Sequence, residues 1–105
     1  MPRGDVVRLT PPNSDGREQQ KTRFGVILQS NALTPLSTVV VAPTSQSARQ
    51  THFRPEIVIE RESTKVLVEQ LAAIDARRAS EIVGHVSTEE MWSIDDALAL
   101  VVGLH

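Results

Sequence analysis

Residues 18–28 read EQQKTRFGVIL and join a polar loop to an apolar run. The polar half ends at Arg23, and the apolar half predicts a strand over residues 23–30, because β-branched and aliphatic side chains favour buried strands. An arginine at this junction is held by a strand while it faces an open loop, an arrangement that active sites often use. The segment therefore predicts a sheet protein with a candidate ligand site at its first long loop.

Five further short strands are predicted around this one. Residues 38–42 (TVVVA) form a β-branched run that Pro43 is expected to end, since proline cannot donate to a strand ladder. Polar connections are predicted at residues 10–22, 31–37, 44–51 and 61–65, and a short helical turn at residues 74–78. The remaining strands are predicted at residues 4–9, 56–60, 66–71 and 81–86.

A helix is predicted at the C-terminal end of the sequence. Ser87 is placed to cap the first turn, and Glu90, three residues later, is placed to complete a capping box. Gly103 is expected to end the helix. The apolar residues that recur at helical spacing and predict its buried face are Met91, Ile94, Leu98 and Val101.

Short strands followed by one amphipathic helix predict a mainly β protein with a small α content. The expected fold is a curled SH3-like barrel with the C-terminal helix packed on it, because helices do not alternate with strands as they do in a parallel, doubly wound sheet. The 105 residues and 11.5 kDa predict a single domain over residues 1–105. Its core must be aliphatic, since only 3% of the residues are aromatic.

Composition narrows the class of protein. The chain has no cysteine, which excludes a disulfide scaffold and cysteine-ligated zinc. No secretion signal or membrane-spanning stretch is evident, so we expect a soluble, cytoplasmic protein without a membrane partner. The net charge is −2, yet basic residues outnumber acidic ones in residues 1–65 and the reverse holds in residues 66–105. This asymmetry suits a protein that meets an anion on one face.

The usual catalytic constellations are absent from the sequence. His52, His85 and His105 are isolated and lack metal-ligand spacing, so neither a metal site nor a cofactor is expected. No serine or threonine sits in a strand-turn-helix elbow. Arg23 and Thr44, at the ends of two predicted strands, remain, and an arginine with a hydroxyl is suited to binding a phosphate. RNA would supply its own nucleophile, the 2′-hydroxyl.

Four motifs in order resemble the MazF/PemK (Kid-like) family of toxins, and the resemblance covers nearly the whole chain. The motifs are GDV at residues 4–6, GREQQKTR at residues 16–23, VAPTS at residues 41–45 and EQLAAID at residues 69–75. The resemblance implies a homodimeric SH3-like barrel that acts as the toxin of a type II toxin–antitoxin module. It implies a sequence-specific, metal-independent endoribonuclease that cuts single-stranded RNA and leaves a 2′,3′-cyclic phosphate and a 5′-hydroxyl. The implied protein partner is a MazE-like antitoxin whose acidic tail occupies the RNA groove.

The resemblance also implies roles for individual residues. The family's catalytic arginine and threonine match Arg23 and Thr44, and its loop glutamate matches Glu18, our candidate for the general base. Because arginine has a pKa above about 12, proton abstraction by Arg23 is not expected. The residues expected to contact RNA are Gln19, Lys21, Ser45, Gln46 and Asp75.

Three residues depart from the family's pattern. Phe24 stands where a proline commonly follows the catalytic arginine, and Arg17 replaces a loop histidine of the PemK-like branch. Ala72 replaces that branch's arginine, so the arginine–aspartate pairing that would use Asp75 is not expected. Two alternatives stay open: a CcdB-like toxin that binds DNA gyrase through its C-terminal helix, and an inactive or merely RNA-binding family member.

Overall fold

The computed structural model describes residues 1–10, 23–33 and 36–104. These residues form seven strands and one α-helix, with short 3₁₀ turns at Asn31–Leu33, Val68–Gln70 and Ala76–Arg78. No helix in these segments is long and apolar enough to cross a bilayer. The strands are β1 (Asp5–Leu9), β2 (Arg23–Ile27), β3 (Thr38–Ser45), β4 (Glu56–Ile59), β5 (Glu62–Val66), β6 (Ala72–Asp75) and β7 (Ala79–His85), and the helix is α1 (Thr88–Val101).

The strands form one curled antiparallel sheet in the order β4-β5-β3-β2-β1-β7, and β6 pairs with β3. Strand β3 is long enough to have three neighbours. One edge of it pairs with β2, while the other edge pairs with β6 from Thr38 to Val41 and with β5 at Thr44 and Ser45. This change of partner makes the sheet curl, and it agrees with the barrel-like fold expected from the sequence.

Alternation along the strands produces two apolar clusters on opposite faces of the sheet. The larger cluster includes Val26 and Ala42 and is covered by α1 through Ile94 and Ala97. The smaller cluster is made of Val7, Ile27, Val39 and Val41. Buried members of both clusters are aliphatic, as the scarcity of aromatic residues required.

Helix α1 begins and ends as predicted. The Ser87 hydroxyl accepts a hydrogen bond of 3.0 Å from the Glu90 amide, and the Glu90 carboxylate accepts one of 2.8 Å from the Ser87 amide. Gly103 has a φ of +81° and ends the helix with Leu104, whose amide donates to the Ala99 carbonyl. The second oxygen of Glu90 accepts from the Val58 amide, so the cap also ties the helix to β4.

Two expectations about strand limits were wrong. Strand β3 continues through Pro43 to Ser45, instead of ending at Ala42. The Pro43 carbonyl accepts from the Leu67 amide. In a strand, the N–H and C=O of one residue point toward the same neighbouring strand. The nitrogen of Pro43, which carries no hydrogen, therefore points away from β2 and toward the gap between β6 and β5. The ladder with β2 is therefore undisturbed.

The second error concerns residues 61–71. Glu62–Val66 is strand β5 rather than a turn, and residues 66–71, expected to be a strand, contain a 3₁₀ turn instead. The turn between β4 and β5 is formed by Glu60 and Arg61, with φ values of +52° and +70°. A two-residue hairpin turn with both residues in the left-handed region normally uses asparagine or glycine, so this sequence carried no turn signal. The short helical turn predicted at residues 74–78 is confirmed at Ala76–Arg78 as a 3₁₀ turn, whereas residues 74 and 75 are the end of β6.

Candidate functional site

An open groove of about 760 Å³ lies over the ends of β2, β3 and the β4–β5 hairpin. Both polar and apolar side chains line it, and no disulfide constrains it. We call this feature the groove. Its lining residues are Arg23, Phe24, Thr44, Ser45, Gln46, Ser47, Ile59, Glu60, Glu62 and Thr64.

Arg23 is the first residue of β2 and lies opposite Leu9 of β1. Its side chain is exposed, and within the described part of the chain its guanidinium has no hydrogen bond or ion pair. The backbone is held by the strand, and no other described residue occupies the planar fork of donors of the guanidinium. Such a group is suited to binding the oxygens of a phosphate or a carboxylate.

Thr44 lies at the far end of β3 and is only 7% exposed. Its hydroxyl donates to the backbone carbonyl of Phe24 at 3.3 Å, which is long for a hydroxyl donor. A bond this weak leaves the hydroxyl free to turn toward a ligand in the groove. Thr44 thus offers a hydrogen bond from a fixed, largely desolvated position.

Strand alternation sets the geometry between these two residues. Gly25 is paired with Pro43, and continuing this register places Phe24 opposite Thr44 and Arg23 opposite Ser45. Arg23 and Thr44 therefore start from opposite faces of the sheet, since neighbouring residues in a strand point to opposite sides. They line the same groove because it runs over the end of the sheet, where both faces are accessible.

The Phe24 ring is fixed between charged neighbours and the core. The Arg8 guanidinium lies 5.3 Å from the ring centroid, and Arg8 is itself bonded to Glu81 at 3.0 Å. The ring also packs against the larger apolar cluster. This residue, which departs from the family's usual proline, forms a rigid apolar part of the groove wall.

Ser45 and Gln46 were expected to contact a ligand, and both line the groove. The Ser45 hydroxyl lies 3.5 Å from that of Ser47. The Gln46 amide donates to the Glu62 carboxylate at 2.9 Å, which joins the end of β3 to the start of β5.

Six groove residues were missed by the sequence reasoning: Phe24, Ser47, Ile59, Glu60, Glu62 and Thr64. Glu62 and Thr64 were missed because their segment was predicted to be a turn. The available signal for a strand was that residues 62, 64 and 66 alternate with residues 63 and 65, so that the two sets point to opposite faces. It was too short to be separated from a polar connection.

Asp75 lies elsewhere. It is paired with Thr38 at the opposite end of β3. Six residues separate Thr38 from Thr44, or about 20 Å of strand at ~3.3 Å per residue. The Asp75 carboxylate is bonded to Arg77 at 2.7 Å and 3.0 Å, and these hydrogen bonds from Arg77 lower the pKa of Asp75 to about 2. The structure therefore does not bring Asp75 to the groove, and its predicted RNA contact stays a prediction.

Three other predicted site residues, Glu18, Gln19 and Lys21, lie outside the described residues. In segments 1–10, 23–33 and 36–104, no three His, Asp or Glu side chains are grouped so as to hold a metal ion.

An ion pair between Arg54 and Glu69 holds the segment that follows Gln46. Arg54 contacts one oxygen of Glu69 through two nitrogens, at 2.7 Å and 3.0 Å, and also donates to the Arg49 carbonyl. The hydrogen bond from Arg54 lowers the pKa of Glu69. Both side chains are largely buried, with 21% and 26% exposure. The pair fixes the connection between β3 and β4, which begins at the groove.

Comparison with known proteins identifies related chains. A family model described as PemK-like, MazF-like toxin of type II toxin–antitoxin system matches residues 2–102. The candidate toxin Rv3098A of Mycobacterium tuberculosis (strain ATCC 25618 / H37Rv) is 32% identical over 104 residues, which cover 97% of each chain.

Two solved structures show the same fold at lower identity. One is a mycobacterial endoribonuclease in complex with its cognate antitoxin, with a TM-score of 0.82 and 20% identity, covering 100% of this chain and 97% of that one. The other is the Mycobacterium tuberculosis toxin MazF-mt6, with a TM-score of 0.79 and 15% identity, covering 96% and 98%. Both support the curled sheet with one C-terminal helix.

Proposed function

The chain belongs to the PemK-like, MazF-like toxins of type II toxin–antitoxin systems, and on that premise we propose that it is a metal-independent endoribonuclease that cuts single-stranded RNA. The observation that carries this proposal is the groove. There, the guanidinium of Arg23, which has no partner among the described residues, and the hydroxyl of the buried Thr44 adjoin one open space. This pair of groups is suited to a phosphodiester.

In the proposed reaction the 2′-oxygen of a ribose attacks the neighbouring phosphorus. A bond forms between phosphorus and O2′, and the bond between phosphorus and O5′ breaks. The products are a 2′,3′-cyclic phosphate and a 5′-hydroxyl. Arg23 binds the non-bridging phosphate oxygens and stabilises the charge that accumulates on them, because fixed donors are most effective where charge develops. Thr44 donates a hydrogen bond to the same phosphate.

Two proton transfers complete this reaction. The 2′-hydroxyl loses a proton, and the leaving O5′ gains one. Glu18 is our candidate for the first transfer. Arg23 is our candidate for a charge stabiliser or general acid at the second, since a guanidinium does not act as a base near neutral pH.

The substrate strand is proposed to follow the groove past Ser45 and Gln46. Gln19 and Lys21 are proposed as further RNA contacts from the preceding loop, and Asp75 as a distant one. A single domain over residues 1–105, acting in the cytoplasm as a homodimer, completes the proposal. A MazE-like antitoxin with an acidic tail would inhibit it by placing carboxylates where RNA phosphates bind, beside Arg23.

A CcdB-like action on DNA gyrase is the second candidate. The observation that favours it is the exposed apolar end of the C-terminal helix, where Leu100, Val102 and Leu104 are 45%, 50% and 80% exposed. Such residues suit a protein interface rather than a phosphate chain.

The two functions are separated by one assay. Purified protein is incubated with single-stranded RNA in the presence of a chelator, and the fragment ends are identified by mass spectrometry. We expect cleavage with cyclic-phosphate and 5′-hydroxyl ends. Intact RNA would contradict the proposal, and inhibition of gyrase by the same preparation would then support the CcdB-like action.

A further inference from the structure

The groove has two chemically different ends. Arg23 and Thr44 lie at one end, while Glu60 and Glu62 of the β4–β5 hairpin lie at the other. Arg61, between the two glutamates, does not line the groove. A phosphate is attracted to the first end and repelled by the second. A nucleotide in the groove is therefore oriented, with its phosphate at Arg23 and its base toward the hairpin.

Strand register defines the base end. Thr44 is paired with Val66, so continuing outward places Gln46 opposite Thr64 on the same face, with Glu62 next. Glu62 is four residues from Val66, which is about 13 Å at ~3.3 Å per residue. The side chain of Ile59, paired with Glu62 on β4, provides an apolar surface beside these polar groups.

The hydrogen bonds of the base end leave acceptors unused. The Gln46 amide nitrogen donates to one oxygen of Glu62 at 2.9 Å, and this orientation follows because a carboxylate only accepts. The other oxygen of Glu62 has no partner among the described residues. The Gln46 amide nitrogen also has a second hydrogen to donate, and it makes no other bond to the described residues.

Thr64 adds an independent observation. It is 4% exposed and lines the groove, yet its hydroxyl has no hydrogen-bond partner in the described segments. The hydroxyl is not one of the buried unpaired side-chain atoms, so it faces the groove. It can therefore donate to or accept from a ligand in the groove.

A carboxylate acceptor beside an amide donor, as in Glu62 and Gln46, can discriminate between the RNA bases. The Watson–Crick edge of guanine carries two adjacent donors, N1–H and the N2 amino group, followed by the O6 acceptor. Adenine and cytosine present a ring-nitrogen acceptor where guanine has N1–H, and uracil flanks its one N–H with two carbonyls. A carboxylate would face a repelling lone pair in each of these three cases.

We propose that Gln46, Glu62 and Thr64 form a guanine-binding subsite at the hairpin end of the groove. Glu62 accepts from the N1–H and N2 amino donors, Gln46 donates to O6, and Thr64 contacts the same base. The subsite rests on the proposed cleavage of RNA and makes these residues determinants of sequence specificity.

Binding is tested with uridine oligonucleotides that carry a single guanosine or a single inosine and are 2′-O-methylated throughout, so that they cannot be cut. Inosine differs from guanosine only by lacking the N2 amino group. Affinities are measured by fluorescence anisotropy for the wild type, for Glu62→Gln and for Glu89→Gln. The last is a matched control, because Glu89 is exposed in the first turn of α1 and does not line the groove.

The wild type and Glu89→Gln should bind the guanosine oligonucleotide about tenfold more tightly than the inosine one, as expected for a hydrogen bond to a charged group. Glu62→Gln should bind the two equally. Equal affinities for the wild type, or undiminished discrimination by a folded Glu62→Gln protein, would overturn the subsite.

A parallel cleavage assay uses the same oligonucleotides without 2′-O-methylation. It separates this inference from the proposed function. Guanosine discrimination without any cleavage supports the subsite and contradicts the endoribonuclease. Cleavage without guanosine discrimination supports the endoribonuclease and overturns the subsite.

Discussion

The hydroxyl of Thr44 donates to the backbone carbonyl of Phe24, the residue next to Arg23, across the β2–β3 pair at 3.3 Å. This contact joins the ends of two strands that are 20 residues apart in the sequence. The β2–β3 ladder that carries both residues, rather than this long bond, holds the proposed phosphate-binding residues in a constant relationship. Thr44 lines the groove as well.

Replacement of Arg23 by alanine should lower RNA cleavage by at least about 10²-fold, because a fixed donor to the developing charge is lost. The fold should persist, since the guanidinium is exposed and makes no ion pair in the described segments. Cleavage rates and circular dichroism measure the two effects. Arg49→Ala, which removes an exposed arginine outside the groove lining, is the control. Normal cleavage by folded Arg23→Ala protein would refute the assigned role.

Thr44→Val removes the hydroxyl while keeping the shape of the side chain. We expect cleavage to fall about tenfold or more, because a hydrogen bond to a charged phosphate is lost, and stability to change by only ~1 kcal/mol. Thr44→Ser should retain most of the activity. Single-turnover kinetics and denaturant unfolding give the two quantities. Equal activity of the valine and serine variants would show that the hydroxyl plays no part.

The ion pair between Arg54 and Glu69 should make stability depend on pH. The pKa of Glu69 is lower in the folded chain than its usual 4.5. The pair therefore stabilises the protein fully above about pH 4.5, and this contribution is lost as the pH falls through the lower folded-state pKa. Urea unfolding at a series of acidic pH values should show this loss in the wild type.

Glu69→Gln should reduce that acid-dependent loss and lower stability at neutral pH by ~1–3 kcal/mol, because the largely buried Arg54 loses its charged partner. Asp75→Asn is a useful comparison, since an arginine also lowers the pKa of Asp75. The Asp75 side chain, however, is exposed and lies outside the groove. An unchanged acid profile in Glu69→Gln would contradict the role assigned to the pair.

Ser87→Ala removes the side-chain half of the capping box of α1. We expect a loss of ~1 kcal/mol and a fall in Tm of about 4–8 °C, because one amide at the helix start loses its acceptor. RNA cleavage below the melting transition should be unchanged, since α1 does not line the groove. A change in cleavage at equal folded fraction would show that the helix contributes to the reaction.

Local patterns were sufficient for much of the fold and for the family. The β-branched run at residues 38–42 identified the central strand, and Ser87 and Glu90 identified the start of the helix. The resemblance to MazF/PemK toxins is confirmed by the family match over residues 2–102. Arg23 and Thr44 were singled out as well, and they line one groove, although their catalytic roles stay predictions.

The sequence alone determined the elements whose cause is local: apolar alternation, a helix cap and a strand that begins at Arg23. Tertiary structure decided which distant residues become neighbours. The hairpin turn at Glu60 and Arg61 brings Glu62 and Thr64 beside Gln46, while β6 carries Asp75 to the other end of β3. The physical reason is that strand partners and their register depend on how the whole apolar surface is buried, a condition that no short window of sequence contains.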